Sequence, residues 1–489
     1  MYRTENQISL AEFMSPFGKL DRNNRWAQIA DMIPWRKYEP KYASQFCDDN
    51  GAPAVPFRMA LGTLIIKQRT GHSDDEVLQS IIENPYMQYL IGLHEFTTDP
   101  PFSQRSITNF RKYIPQELID EINEDLFRKL SQGDDVSGKR GSDDGSNPSD
   151  SDKGHPNQGS MLLDATCAPS DIAYPTDVNL LNEAREKLEG IIDELHRYTK
   201  ARKKPRTYRQ EARRKYLNFV KQRKPRKNRI RKAIGQQLRY VRRNIKHVDV
   251  QLEQASTEVL SSRQKQWLET IRKLYAQQEE MHRTKTHSIP DRIVSISQPY
   301  VRPIVRGKSK AETEFGAKVH ISMVNGYAFK DKIGWDAYNE EGLLIPAVED
   351  YKKKNGFYPE AVIADKIYRN RNNHAYCKER GIRLSGPKLG RPTKQLNNIH
   401  KAQERQDASA RNAIEGKFGE GKTKYGLDRI MARLQNTSET VIAMVFLCMN
   451  ISRRLRVLLA LFLWRPIFGN TLVDNFFGMS KSYERRVFA

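Results

Sequence analysis

The sequence predicts an α/β protein: a mixed β-sheet core, a helical region ahead of it, and a helical, strongly basic insertion within it. Three observations predict this. Two short apolar runs, Met161–Pro169 (MLLDATCAP) and Glu360–Ala364 (EAVIA), have the length and composition of strands. The stretch Lys318–Trp335 (KVHISMVNGYAFKDKIGW) reads as two strands around Asn325-Gly326, a favoured hairpin turn. After Leu343 the pattern alternates strand and helix, as in a mixed sheet covered by helices.

Residues 1–130 read as helical. Phe57–Thr70 has one apolar helical face, and Ser73-Asp-Asp-Glu supplies a cap for a helix over Val77–Ile91. Past Pro100-Pro101, a helix over Phe102–Tyr113 carries Ser, Arg and Asn in a pattern that resembles a helix-turn-helix module; an ordinary helical bundle is the plainer reading. Residues 131–160 hold no large apolar side chain beyond Val136, cannot offset their ordering entropy, and are expected to be a disordered linker. Asp171–Pro175 reads as a further strand after Met161–Pro169. Two heptad seams follow, Leu181-Ala184-Leu188-Ile191-Leu195-Tyr198 and Leu238-Val241-Ile245-Val248-Leu252-Ala255-Val259, most simply packed as an antiparallel hairpin within 179–284. The core, 161–178 and 285–460, then continues with a helix over Leu343–Asn355 ending near Gly356 and a helix over Asn370–Arg380 ending at Gly381. A strand over Ile382–Ser385, a helix beginning at Gln403–Gly416 and an amphipathic helix over Thr437–Leu459 complete it, with 461–489 as a C-terminal tail. No internal repeat is visible.

The charge narrows the function. Lys plus Arg number 83 against 59 Asp plus Glu, a formal net charge of +24 in 489 residues. Between Lys200 and His247 there are 21 Lys or Arg and one acid, Glu211, so this stretch carries +20 of the total. Tyr208, Tyr216, Phe219 and Tyr240 are interleaved. A run so dominated by one sign repels itself and calls for phosphate as counter-charge, with a solvated charge run as the plainer reading. Arg202, Lys203, Lys204, Arg213 and Arg214 are the first candidate DNA contacts, followed by Arg223, Lys224, Arg226 and Lys227. The longest apolar stretches, Val441–Asn450 and Val457–Trp464, are split by Arg453, Arg454 and Arg456, too short for a membrane span of ~20 residues. The N-terminus has no secretory signal pattern. Cys47, Cys167, Cys377 and Cys448 lie far apart, without a CxxC pair, which suits a reducing compartment. A cytoplasmic protein is expected, with DNA as partner and no membrane or nucleotide cofactor.

Asp164 in MLLDAT and Asp365 after EAVIA are expected at the C-terminal ends of buried apolar strands, and Glu415 lies on a later helix. Acids at strand ends converge at one edge of an α/β sheet, where such sites form. Three carboxylates held together repel each other, and Mg²⁺ ions relieve that repulsion. Arg411, Glu415 and Lys422 fall within ~40° of one another on a helix at 100° per residue, placing two cations beside the acid. Taken singly, each Asp also reads as a turn or cap residue, and Arg411–Glu415 as a surface pair.

Arg411-(3)-Glu415-(6)-Lys422 resembles the R-E-K part of the Y-R-E-K signature of bacterial insertion-sequence transposases of the DDE type. LLDAT around Asp164 and VIADKIY around Asp365 resemble that family's first and second Asp motifs. The resemblance extends over most of the chain, with 1–130 in the usual end-binding position. It implies an RNase H-like core, Asp164, Asp365 and Glu415 as catalytic ligands of two Mg²⁺ ions (Mn²⁺ substituting), and Arg411 and Lys422 on DNA phosphates. It also implies double-stranded DNA ends and target as partners and a homodimer on DNA. The signature Tyr falls at position 408, here Ala408, and Ile367 stands where the family has Gly. Gly416, Gly419 and Gly421, at up to ~1 kcal/mol each in a helix interior, are expected to shorten the Glu415 helix.

Three other readings remain at this stage. A nuclease would share the site without strand transfer, and a non-catalytic DNA-binding protein would use its acids structurally. Gly416-Lys-Phe-Gly-Glu-Gly-Lys-Thr423 also satisfies the P-loop pattern, which must follow a buried strand and open a helix. His282, His287 and His320 pair with nothing at metal-ligand spacing and read as core or surface residues.

Overall fold

A computed structural model of the chain describes residues 17, 20–47, 53–131, 157–199, 203–255, 257–305, 313–386 and 394–477. Arg202 and most of the expected linker lie outside the described residues. The central strand is β1 (Ser160–Pro169), antiparallel to β3 (Thr313–Val324) and parallel to β5 (Ala361–Ala364). Strand β6 (Arg383–Leu384) lies parallel outside β5, while β2 (Arg302–Val305) and β4 (Tyr327–Gly334) pair antiparallel with the two halves of β3. The sheet is mixed, and its middle strands are buried nearly throughout because both faces are covered. Asn325 and Gly326 have φ of 47° and 77°, the left-handed pair that a tight β3–β4 hairpin requires. Gly316 is dictated by proximity: a Cβ there would lie 2.1 Å from the Ala168 carbonyl oxygen, where β3 crosses the end of β1.

The expected strand over Asp171–Pro175 does not form. Beyond Pro169 the chain makes one parallel bridge, Ser170 to Ile430, and among the described residues no neighbouring strand pairs with it to extend the ladder.

The N-terminal helices are α1 (Arg25–Met32), α2 (Trp35–Ala43), α3 (Phe57–Thr70), α4 (Asp74–Glu83), α5 (Pro85–Leu90), α6 (Gln104–Tyr113) and α7 (Gln116–Ser131). Ser73 and Glu76 form the expected reciprocal cap. The single helix expected over Val77–Ile91 is two, because Pro85 has no N–H to continue the ladder and the Asn84 side chain caps the new start through Tyr86 and Met87. These helices and the sheet share one apolar core, closed by α15 (Gln435–Phe477). Helix α15 runs past the boundary expected at 460. Its Asn450, fully buried, mimics a strand: its side-chain oxygen accepts from Ala328 N at 2.9 Å and its amide donates to Ala328 O at 2.7 Å and Asn123 Oδ1 at 2.9 Å. No helix among the described residues is long and apolar enough to cross a membrane.

Between β1 and β2 the chain builds a four-helix unit with its own apolar core: α8 (Asp177–His196), α9 (Arg209–Val220), α10 (Lys227–Gln254) and α11 (Ser262–Thr284). The heptad seams do face each other across α8 and α10, but not as an antiparallel hairpin. Asp177–Gln278 and Lys187–Trp267 contacts set α8 antiparallel to α11, and Arg231–His282 and Asp249–Arg272 set α10 antiparallel to α11. The two seam helices therefore run in the same direction, with α9 and α11 as the returns. Tyr198, the last seam residue, is exposed.

Candidate active site

Leu163 of β1 pairs with Ala364 of β5 in a parallel register, so Asp164 and Asp365 are the next residues along on neighbouring strands. In-register residues of parallel strands share a face about 4.8 Å apart, which brings two carboxylates together without any long-range accident of packing. Asp164 is not at the end of its strand, as expected, but midway along β1, because the ladder with β3 continues to Pro169; the next residue, on the opposite face by strand alternation, is the buried Ala165. The Asp164 carboxylate accepts from Ala165 N at 2.8 Å. Burial holds its acidity weaker than that of an ordinary Asp, assisted by the negative charges of Glu340 and Asp365 and opposed by the Ala165 bond and Arg411. Asp365 follows the last residue of β5 and caps the short turn Lys366–Tyr368, accepting from Lys366 N at 2.6 Å.

The third acid comes from α14 (Lys394–Lys424), which follows α12 (Leu344–Asn355) and α13 (Arg371–Glu379) and packs Ile414 and Phe418 into the main core. Arg411 donates to Asp365 Oδ1 at 3.1 Å and lies 3.5 Å from Glu415 Oε1, so its guanidinium ties the strand-end acid to the helical one. Glu415 itself is exposed. Lys422 lies on the same helix two turns on, and the one-face spacing holds because α14 does not end at its glycines. Gly416 and Gly419 face open space, whereas a Cβ on Gly421 would come within 3.2 Å of Leu427 and Met449. Close packing there outweighs the helix cost of glycine. The same fact removes the P-loop: Gly416–Thr423 is helical, its N–H groups spent within the helix instead of lining an anion nest.

Three interactions that sequence reasoning missed fix α14. Arg383 of β6 grips the buried Asp407 with two bonds, of 2.6 and 3.0 Å. Lys417 reaches Glu420 at 3.2 Å, and Glu420 accepts from Arg456 of α15 at 2.9 Å. Burial lowers the Lys417 proton affinity, and Glu420 in turn is held below the usual carboxylate range by its two cations against its own burial. Two of these pairs join residues far apart in sequence, so no periodicity reveals them. Ala408, at the signature Tyr position, is exposed on α14 one turn before Arg411. The aromatic ring beside the acids is instead Tyr368, fully buried in the Asp365 turn, its hydroxyl 3.3 Å from Glu340.

Carboxylate oxygens are the donors a hard divalent cation takes. Asp164, Asp365 and Glu415 supply that chemistry, although among the described residues no three His, Cys, Asp or Glu side chains gather closely enough to hold an ion as they stand. Arg411 occupies the gap between the second and third acids.

The insertion sorts its cations into two groups. Lys204 and Arg209 are bound to Asp193, Lys215 to Glu211, and Arg242 to Glu279. Arg213, Arg214, Arg223, Lys224, Arg226 and Lys227, on α9, in the turn that follows and at the start of α10, are exposed and form no ion pair among the described residues. Lys203 is likewise exposed. His282 and His287 sit on the insertion surface, and the buried His320 bonds Asp331 at 2.8 Å.

Residues 362–452 match the family described as "Transposase DDE domain", a span that contains Asp365, Arg411, Glu415 and Lys422 and leaves Asp164 outside. Residues 15–113 match a second family, "Transposase domain (DUF772)". A Rhizobium meliloti protein described as "Uncharacterized protein ORF8 in nfe locus" is 27% identical over 162 residues, covering 33% of this chain and 69% of its own. No solved structure matches.

Proposed function

We propose that the chain is a DDE transposase of a bacterial insertion sequence, working with divalent metal ions, and that it cuts double-stranded DNA at the ends of its element and joins the freed 3′-OH to a target. The observation that carries this reading is the register that sets Asp164 beside Asp365 on a mixed sheet, as an RNase H-like core requires, with Glu415 joined to Asp365 through Arg411. Asp164, Asp365 and Glu415 would hold two Mg²⁺ ions, which supply activation of the attacking oxygen and stabilisation of the leaving one. Arg411 exchanges its carboxylate partners for a scissile-strand phosphate as DNA enters, and Lys422 meets a phosphate farther along the same helix face. Residues 1–130 bind the element ends. Two ends are joined in one event, so the working unit is a homodimer on DNA, in the bacterial cytoplasm.

The exposed cations of α9 and the following turn hold the DNA backbone. Replacing Arg223, Lys224 and Arg226 together by Ala is expected to lower the slope of log affinity against log salt by about 3, close to one per lost phosphate contact, with little change in sequence preference. Binding isotherms at several salt concentrations measure it.

The decisive experiment incubates linear DNA carrying the element's own ends with a target plasmid, in Mg²⁺ or in EDTA. Joined product in Mg²⁺ alone supports the transposase reading. Cut ends with free 3′-OH that never join would leave a nuclease, and salt-sensitive binding without cutting would leave a DNA-binding protein.

A further inference from the structure

Glu340 lies beside the catalytic acids but belongs to neither the three-acid set nor the signature. It sits in the loop after β4, and its charge is felt by Asp164. Both its oxygens are committed. Lys318 of β3 reaches Oε1 at 2.8 Å, and the Tyr368 hydroxyl donates to Oε2 at 3.3 Å. Each partner is anchored in turn. Lys318 also donates to Tyr338 O at 2.7 Å, and the Tyr338 hydroxyl returns a bond to Lys318 O at 3.2 Å. Tyr368 is fully buried, with its ring against His320, and its N–H closes the turn onto Asp365 O at 3.1 Å. A second clamp runs alongside: the buried Asn373 donates to both Glu341 O and Tyr368 O at 2.8 Å.

We propose that Glu340 is a positioning residue for DNA cleavage: through Lys318 on one oxygen and Tyr368 on the other, it braces the turn that presents Asp365 against the strand pair that presents Asp164. A carboxylate with both oxygens engaged is a poor competitor for a metal ion but a good strut. Strand β3 pairs with β1 along the whole stretch around Asp164, so Lys318 ties Glu340 to the scaffold of the first acid. Tyr368, three residues past Asp365, ties it to the second. The two acids come from strands in register, yet Asp365 stands one residue past the end of β5, beyond the last paired residue of the ladder. The brace supplies what the ladder does not. This inference rests on the three-acid reading of the site.

Tyr368→Phe removes one hydroxyl and keeps the buried ring; Glu340→Gln keeps the shape and removes the charge Lys318 holds. In the full-length protein, single-turnover cutting of end DNA in Mg²⁺ is expected to slow about 10- to 100-fold in each variant. Because the two changes break successive links of one chain of contacts, the double variant is expected to be no slower than the slower single. Affinity for the same DNA in EDTA stays within about two-fold, and amide hydrogen exchange quickens at Lys366–Arg369 alone, by about ten-fold. Wild-type rates in both single variants, or rate losses matched by equal losses of affinity, would overturn the brace. Asp365→Asn run in parallel separates the two ideas: if it cuts like wild type, the three-acid reading fails and the brace with it. If it is dead while Tyr368→Phe and Glu340→Gln cut normally, the brace alone fails.

Discussion

Asp365→Asn is expected to lower DNA cleavage by at least about 10³-fold, roughly 4 kcal/mol of barrier, while end binding persists. Asn has the same volume and keeps an oxygen that can accept from Lys366 N and from Arg411, the two bonds that Asp365 Oδ1 now makes. The turn therefore retains its shape. What is lost is the negative charge, and a neutral amide is a weak ligand for a hard cation. It also leaves Arg411 with Glu415 as its remaining carboxylate, so affinity for DNA is expected to hold or rise slightly. Cleavage of labelled end DNA in Mg²⁺, beside gel-shift affinity in EDTA, reads both quantities. Undiminished cutting would remove Asp365 from the catalytic centre. An equal loss of binding and cutting would reduce it to a structural cap.

Asn450→Leu is expected to cost about 2–4 kcal/mol of stability, although Leu is close in size and the site is apolar. Asn450 satisfies both backbone groups of Ala328 on β4 and the side chain of Asn123 on α7. Leucine would leave buried polar groups on two other elements without partners. The junction lost is the one where the N-terminal helices, the sheet and α15 meet in a shared core, so the transition should shift as a whole, with no early-melting fraction. Denaturant unfolding followed by circular dichroism measures it, and a change under about 0.5 kcal/mol would contradict the assignment.

The two candidate aspartates, Asp164 and Asp365, were legible because an apolar run followed by Asp is a local signal. Their adjacency was not. It follows from the parallel register of β1 with β5, which are separated by nearly two hundred residues of chain. The hairpin at Asn325-Gly326 was legible because its turn chemistry is local, whereas the break at Asn84-Pro85 was overlooked despite an equally local signal. Heptads revealed which faces of α8 and α10 are apolar but carried no information on direction, which α9, a short and mostly polar helix, sets by adding one more return. The glycines of α14 misled in two ways. Their intrinsic helix cost pointed to an early end, and their spacing imitated a phosphate loop. The close contacts of Gly421 with Leu427 and Met449 override the first and expose the second. Arg383–Asp407, Lys417–Glu420–Arg456 and the Glu340 brace include partners distant in sequence, beyond any periodicity.

The four-helix unit leaves and re-enters the sheet-bearing core almost at one point. Asp177, the first residue of α8, accepts from Gln278 near the end of α11 at 2.8 Å and from Arg292 on the returning chain at 2.7 Å. With departure and return latched on one carboxylate, and with a separate apolar interior, the unit behaves as a cassette. Evolution can lengthen, exchange or delete such a cassette without re-registering β1 against β3, and an engineer can do the same. On the proposed function, members of a lineage built on this plan are free to diverge most in how they grip DNA while their cutting chemistry stays fixed.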